Sequence, residues 1–203
     1  ARAVAPLVAR ARRGLPPAML EQVIDTLAVL GQPDAGPLLF EMLSHRRASV
    51  RLRAVQAIAS CHARGADRAL TSSLSDSSAE VRAAAATRLG DLGATTAIDS
   101  LFLAFDRGVP EAGMAIARLA RPEDVTRVLA LVGHVPFSQM GPILVEMLSR
   151  DALAQRSRLE IVARLGEQAS AEARGLLETF AQSRPATDPV RRAAESAAAR
   201  IAQ

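Results

Sequence analysis

Residues 76–93 read DSSAEVRAAAATRLGDLG, and this stretch decides the fold. Ser77 and Ser78 can cap a helix N-terminus, Glu80 suits the positive end of its dipole, and Gly90 or Gly93 suits its stop. Val81, Ala85, Leu89 and Leu92 fall on one face, at spacings of four, four and three. That face is thin and half of it is alanine. A helix with so little to bury does not fold alone and must pack closely on neighbours.

The same pattern lies on other stretches. Val50, Ala54 and Ile58 match Val81, Ala85 and Leu89. Ala115 and Leu119 match its last two places, as do Ile161 and Leu165, and Val190, Ala194 and Ala198 match all three. The preceding helix also repeats: GPLLFEMLSH at 36–45 and GPILVEMLSR at 141–150 are near copies. The offset from Val50 to Val81 is 81 − 50 = 31 residues, and from Leu89 to Leu119 it is 119 − 89 = 30. A period near 30 with two helices per unit predicts an all-α fold, an α-solenoid of about six helix pairs.

The run Asp76, Val81, Arg82, Ala85, Leu89, Gly90, followed by Ala97 and Leu101, resembles a HEAT-type repeat, of the short variety also found in phycobilisome bilin lyases. The resemblance spans most of the chain and implies that the α-solenoid is an ARM/HEAT-like superhelix. It leaves function open, because such repeats serve as scaffolds, adaptors, chaperones, lyases and DNA glycosylases. It also implies that the arginine after the leading apolar residue (Arg51, Arg82, Arg158, Arg191) pairs with an acid in the turn before it. Asp76 is then expected to pair with Arg82, and Asp188 with Arg191, in a ladder joining repeats. His45 stands where an acid would serve Arg51. The alternative use of these arginines is a row of anion contacts.

Composition bounds the rest. In 203 residues, 49% are hydrophobic and 23% charged, with mean hydropathy +0.14, which excludes a disordered chain. No apolar run is long enough to cross a bilayer, so no membrane insertion is expected. The net charge is +4 and every basic side chain is arginine, which fits a high-GC bacterial genome. The single cysteine, Cys61, excludes an internal disulfide, reads as a buried side chain, and fits a reducing, cytoplasmic setting. The chain begins with alanine and is read as a single solenoid over 1–203, part of a longer protein.

Helices are expected at 34–44 and 48–61, 66–74 and 78–92, 95–106 and 110–120, 123–132, 154–165, 171–181 and 189–202, after a basic amphipathic start at 1–13 and a helix ending at Leu30. The pattern stumbles at 133–141, GHVPFSQMG. The preferred reading is a degenerate repeat near 122–141, its second helix reduced to a turn. The alternative is one long helix over 136–149, with the two helix types exchanged afterwards.

No catalytic motif appears. His45, His62 and His134 have no metal-ligand spacing, and no Gly-rich phosphate loop or nucleophile elbow is present. The chain is read as a non-enzyme needing no cofactor. In a solenoid the second helices line the concave side. Leu52, Gln56, Ala83, Thr87, Gly113, Ala117, Leu159 and Ala163 are expected to point outward there, with Arg53, Arg88, Arg118 and Arg164 at the margins. The residues taken as binding a partner are Leu52, Arg53, Gln56, Thr87, Arg88, Arg118, Leu159 and Arg164. A second candidate lies at the repeat break, His134, Phe137 and Gln139. The surface is small, mildly apolar and edged with arginine, which suits a protein partner such as an acidic peptide or helix. Nucleic-acid backbone binding is the rival. With neither Trp nor Tyr and five Phe at core spacing, base stacking is hard to arrange. A bilin-lyase-like activity comes third.

Overall fold

The computed structural model describes residues 3–201. The first two residues of the basic start expected at 1–13, and the last residue of the helix expected at 189–202, lie outside that range. The chain clusters into two compact units, Ala1–Ala115 and Ile116–Gln203, and both are all-α. Among the described residues there is no strand, and only a lone bridge joins Val132 to Val135. The fold is an α-solenoid of stacked helix pairs.

The first unit holds α1 (Val4–Arg12), α2 (Pro17–Leu30), α3 (Gly36–Met42), α4 (Ala48–Ser60), α5 (Ala66–Ser73), α6 (Ala79–Asp91), α7 (Ile98–Asp106) and the start of α8 (Pro110–Leu119). Helices α2, α4, α6 and α8 begin at residues 17, 48, 79 and 110, and 48 − 17, 79 − 48 and 110 − 79 all give 31. Helix α4 packs on α2 and on α6, while α3 and α5 cover α4 and α6 from the other side. The thin stripe read from the sequence is the seam. Val50, Ala54, Ile58, Val81, Ala85 and Leu89 are all 0% exposed. Alanine lets the helix axes close up, and the large residues at the ends of the stripe fill the layer.

The stops recur with the same period. Gly31, His62 and Gly93 follow α2, α4 and α6 with φ of 60°, 48° and 68°. After α6, Gly93 N–H donates to the Gly90 carbonyl at 3.2 Å and Ala94 N–H to Leu89 at 3.1 Å, closing the helix end. At the start of α6 neither serine side chain caps. Ser78 occupies the N-cap, but Asp76 Oδ1 accepts its N–H at 2.8 Å.

The second unit holds the rest of α8, then α9 (Val125–Ala130), α10 (Phe137–Ser149), α11 (Gln155–Gly166), α12 (Ala171–Gln182) and α13 (Pro189–Ile201). Here α11 packs on α9 and α13, and α10 on α12. The preferred reading of 133–141 gives way to its alternative. Helix α10 starts at Phe137 and runs unbroken to Ser149, with Pro142 inside it, so no second helix is missing. The turn is confined to the residues before it: His134 and Val135 N–H groups both donate to the Leu131 carbonyl at 3.0 Å. Pro136 then launches the helix from φ −52°, ψ 139°. From there the types exchange, because α11, which resembles α6 in sequence, neighbours α9.

Candidate interaction surface

The recurring arginines are placed by the 31-residue period. Arg51 follows buried Val50 in the first turn of α4, so its side chain lies against the loop that opens α6. Its Nε donates to Asp76 Oδ2 and its Nη2 to Asp76 Oδ1, both at 2.7 Å. Its Nη1 donates to the His45 carbonyl at 2.8 Å. The two side chains are 12% and 11% exposed. The Arg51 guanidinium, with help from the Ser78 N–H, holds the Asp76 carboxyl below the usual carboxylate range against the opposing effect of burial.

This corrects the expected pairing. Arg82 donates through Nη1 to the carbonyls of Asp76 and Ser77, at 2.8 and 3.2 Å, not to the Asp76 carboxylate. Six residues beyond Asp76, it folds back over its own loop, and the carboxylate faces the preceding repeat. In the second unit Arg191 likewise takes the Arg184 carbonyl at 2.9 Å and Glu195 at 2.8 Å, while Asp188 pairs with Arg184 at 2.8 Å. Arg158 meets Asp151 at 3.3 Å and leaves its Nε buried without a partner.

The margin arginines are all half-exposed and all hold acids. In the first unit Arg53 crosses from α4 to α2, pairing with Asp25 and with Glu21 at 3.4 Å. Arg88 pairs with Asp91 on its own helix at 3.1 Å. Beside them Leu52 and Ala83 are half-buried, and Gln56 and Thr87 are exposed. The structure therefore gathers Leu52, Arg53, Gln56, Thr87 and Arg88 on the neighbouring helices α4 and α6.

In the second unit Arg118 reaches Glu146 at 3.7 Å. Arg164 meets Glu167 at 2.9 Å and the Val132 carbonyl at 3.3 Å. Leu159 is half-buried and Ala163 exposed. Two outward positions are corrected: Gly113 and Ala117 are buried, Ala117 at 0% exposure. Helix α8 is apolar around most of its circumference, with Ala112, Ala115, Ile116, Ala117 and Leu119 all buried, so it has no free face there.

At the repeat break a cavity of about 420 Å³ is lined by Val132, His134, Val135, Phe137, Met140 and Gln168 among others. Gln139 is exposed and does not line it. Gln168 does, and no sequence signal marked it, since it arrives from the end of α11. The His134 Nδ1–H donates to the Ala130 carbonyl at 3.1 Å. Among the described residues no group of three or more His, Cys, Asp or Glu could hold a metal, and no helix is long and apolar enough to cross a membrane. Cys61 is buried, its Sγ–H donating to the Leu27 carbonyl at 3.4 Å, and desolvation raises its pKa.

In the first unit helix pairs recur every 31 residues and arginines join α4 to its neighbours, features that can be compared with known families. The family model for HEAT repeats matches residues 39–118. Over those residues the chain carries HEAT repeats. Among solved structures it is similar to a chain of the CpcE–CpcF complex of phycocyanin lyase from Nostoc sp. PCC7120. That match has 15% identity over 96% of this chain and 93% of that one, with a TM-score of 0.57. It is also similar to the designed armadillo repeat protein YIII(Dq)4CqI, at 20% identity over 98% of this chain and 99% of that one, with a TM-score of 0.51. At these identities the likeness shows the solenoid fold alone. No curated protein matches the sequence.

Proposed function

We propose that this HEAT-like solenoid is a non-catalytic interaction module whose protein partner carries acidic side chains. The observation that carries the reading is the α4–α6 face of the first unit. Small or mildly apolar positions (Leu52, Gln56, Ala83, Thr87) stand unburied there between Arg53 and Arg88. Both arginine side chains are 38% exposed. Ion pairs this exposed are worth about 0–1 kcal/mol, so a partner's carboxylate can replace Asp25 or Asp91 at little cost. The aliphatic stems rest on the helix while the guanidinium groups stay reachable. In the second unit Arg118, Leu159 and Arg164 offer the same chemistry, and the His134–Phe137 cavity offers a pocket of mixed polar and apolar lining.

Backbone-only nucleic-acid binding would draw on the same arginines, and its steep salt dependence separates it from the protein reading. A lyase-related role has no support beyond the likeness of fold to one phycocyanin lyase complex. The test is a charge-reversal series, Arg53→Glu, Arg88→Glu, Arg118→Glu and Arg164→Glu, scored for melting temperature and for capture of partners from the source cells at low and high salt. Capture of a protein lost with melting intact supports the module. Capture untouched in all four, or a nucleic-acid signal that vanishes with salt in place of a protein, rejects it.

A further inference from the structure

In the first unit two arginines of the ladder, Arg51 and Arg82, differ in what meets the far edge of the guanidinium. Arg51 and Arg82 occupy the same place in α4 and α6, 82 − 51 = 31 residues apart. Each is fixed by Nη1 to the loop before its own helix, Arg51 to the His45 carbonyl and Arg82 to those of Asp76 and Ser77. That leaves the Nε–Nη2 edge of each unused by its own loop. The edge of Arg51 is closed by the two oxygens of Asp76.

One period on from Asp76, 76 + 31 = 107, the chain carries Arg107. Its side chain lines a separate small cavity with Thr71, Leu74, Ser75, Ser100 and Leu103. Among the described residues the Nε and Nη2 of Arg82 have no protein partner, and neither is buried. The space beside Arg82 is a pocket of about 260 Å³, and Ala79, Ala83, Val109 and Pro110 supply its apolar walls. Gly108, at φ +79°, has nothing within 4 Å of where a Cβ would stand.

We infer that Arg82 and this pocket form a binding site for a single carboxylate, the Asp or Glu side chain of an extended peptide segment. The guanidinium fork is pre-set by its two carbonyl bonds, so it meets a carboxylate bidentately without losing further side-chain freedom. The alanine, valine and proline walls accept the methylenes that carry the carboxylate. Glu80 and Glu111 also line the pocket. Both are exposed and neither pairs with Arg82, so solvent screens their repulsion. What repulsion remains counts twice against a doubly charged phosphate. This site sits at the N-terminal end of α6 and does not rest on the margin arginine Arg88, which lies in that helix's last turn.

The test follows the Nε–H resonances of Arg51 and Arg82 by NMR at constant ionic strength. The probes are the capped tripeptide Ala-Glu-Ala, its Ala-Gln-Ala counterpart, and inorganic phosphate. The site predicts a saturable shift at Arg82 with the Glu peptide, with an affinity on the order of millimolar, none with the Gln peptide, and no movement at Arg51. Arg82→Gln abolishes the binding seen at neighbouring backbone amides. Arg107→Asp, which restores an acid at the place of Asp76, raises the melting temperature and removes the shift. Equal response at Arg51 and Arg82, no saturation, or tighter saturation by phosphate than by the Glu peptide would each overturn the inference.

Discussion

Arg51 and Asp76 lie 25 residues apart and meet through two parallel bonds of 2.7 Å, nearly out of solvent. The carboxylate that orders the loop before α6, by taking the Ser78 N–H, is thereby held by the repeat before it. Loop order and repeat stacking are one event in this part of the chain.

Asp76→Asn keeps the shape and removes the charge. It is expected to lower stability by about 1.5–3 kcal/mol at neutral pH, the worth of hydrogen bonds to a charged group. The sign with pH follows from the depressed carboxyl pKa of Asp76. A carboxyl whose folded pKa lies below its unfolded value stabilises above the unfolded pKa, about 3.9 for Asp. That contribution disappears as pH falls through the folded value. The gap between wild type and Asp76→Asn in urea melts is therefore widest near neutrality and narrows below about pH 4. A constant gap would mean that the lost interaction is not ionic.

The helices were legible because burial here has a strict period: Val81, Ala85 and Leu89 repeat the places of Val50, Ala54 and Ile58, and all six are fully buried. The partner of each arginine was not legible. Asp76 is close in sequence to Arg82 but close in space to Arg51, and only the stacking of α4 on α6 decides between them. Gly113 and Ala117 were misplaced because alanine and glycine suit either side of a helix, and only the neighbours of α8 show that they are covered. At the repeat break the near copy of 36–45 suggested a helix starting at Gly141. Pro136 and the turn onto Leu131 start it at Phe137 instead.

Leu89 tests the seam of the first unit. Leu89→Ala is expected to cost about 2–5 kcal/mol, the transfer loss plus the cavity left behind. Leu89→Asp buries an unpaired charge, and a cost of several kcal/mol is comparable with the roughly 5–15 kcal/mol that holds a domain folded. Circular dichroism of the Asp variant should show lost helix at ambient temperature. A soluble Leu89→Asp protein with unchanged melting would refute the seam.

Two helical glycines should respond in opposite directions to alanine. Gly36 opens α3 with helical φ, and an added Cβ would stand 2.9 Å from the Cβ of Ala63. Alanine has no rotamer with which to retreat, so Gly36→Ala is expected to destabilise by about 1–3 kcal/mol as overpacking. Gly175 lies exposed within α12 with nothing within 4 Å of an added Cβ. Gly175→Ala should stabilise by about 0.5–1 kcal/mol, the helix-interior penalty of glycine. Thermal melts of both variants check the pair; stabilisation in both would show that propensity outweighs packing at Gly36, and destabilisation in both would refute the gain at Gly175.

Arg150 is one of three positions at which the two near copies differ, its counterpart in the first copy being His45. Its Nη1 donates at 2.7 Å to the carbonyls of both Ala117 and Ala120, residues that are 0% exposed at the end of α8. Burial lowers its pKa, with Glu146 acting in the opposite sense, but a guanidinium stays charged at any working pH. Arg150→Met keeps most of the stem's packing and leaves both carbonyls without their donor. An unsatisfied buried group costs about 1–3 kcal/mol, so Met should destabilise the second unit by at least that much. Because neither partner titrates, the loss should be equal at pH 5 and pH 8, unlike that of Asp76→Asn across the acid range. Denaturant melts at the two pH values decide it. An Arg150→Met protein as stable as wild type would mean that these carbonyls find water instead, and that the arginine is held there by its stem alone.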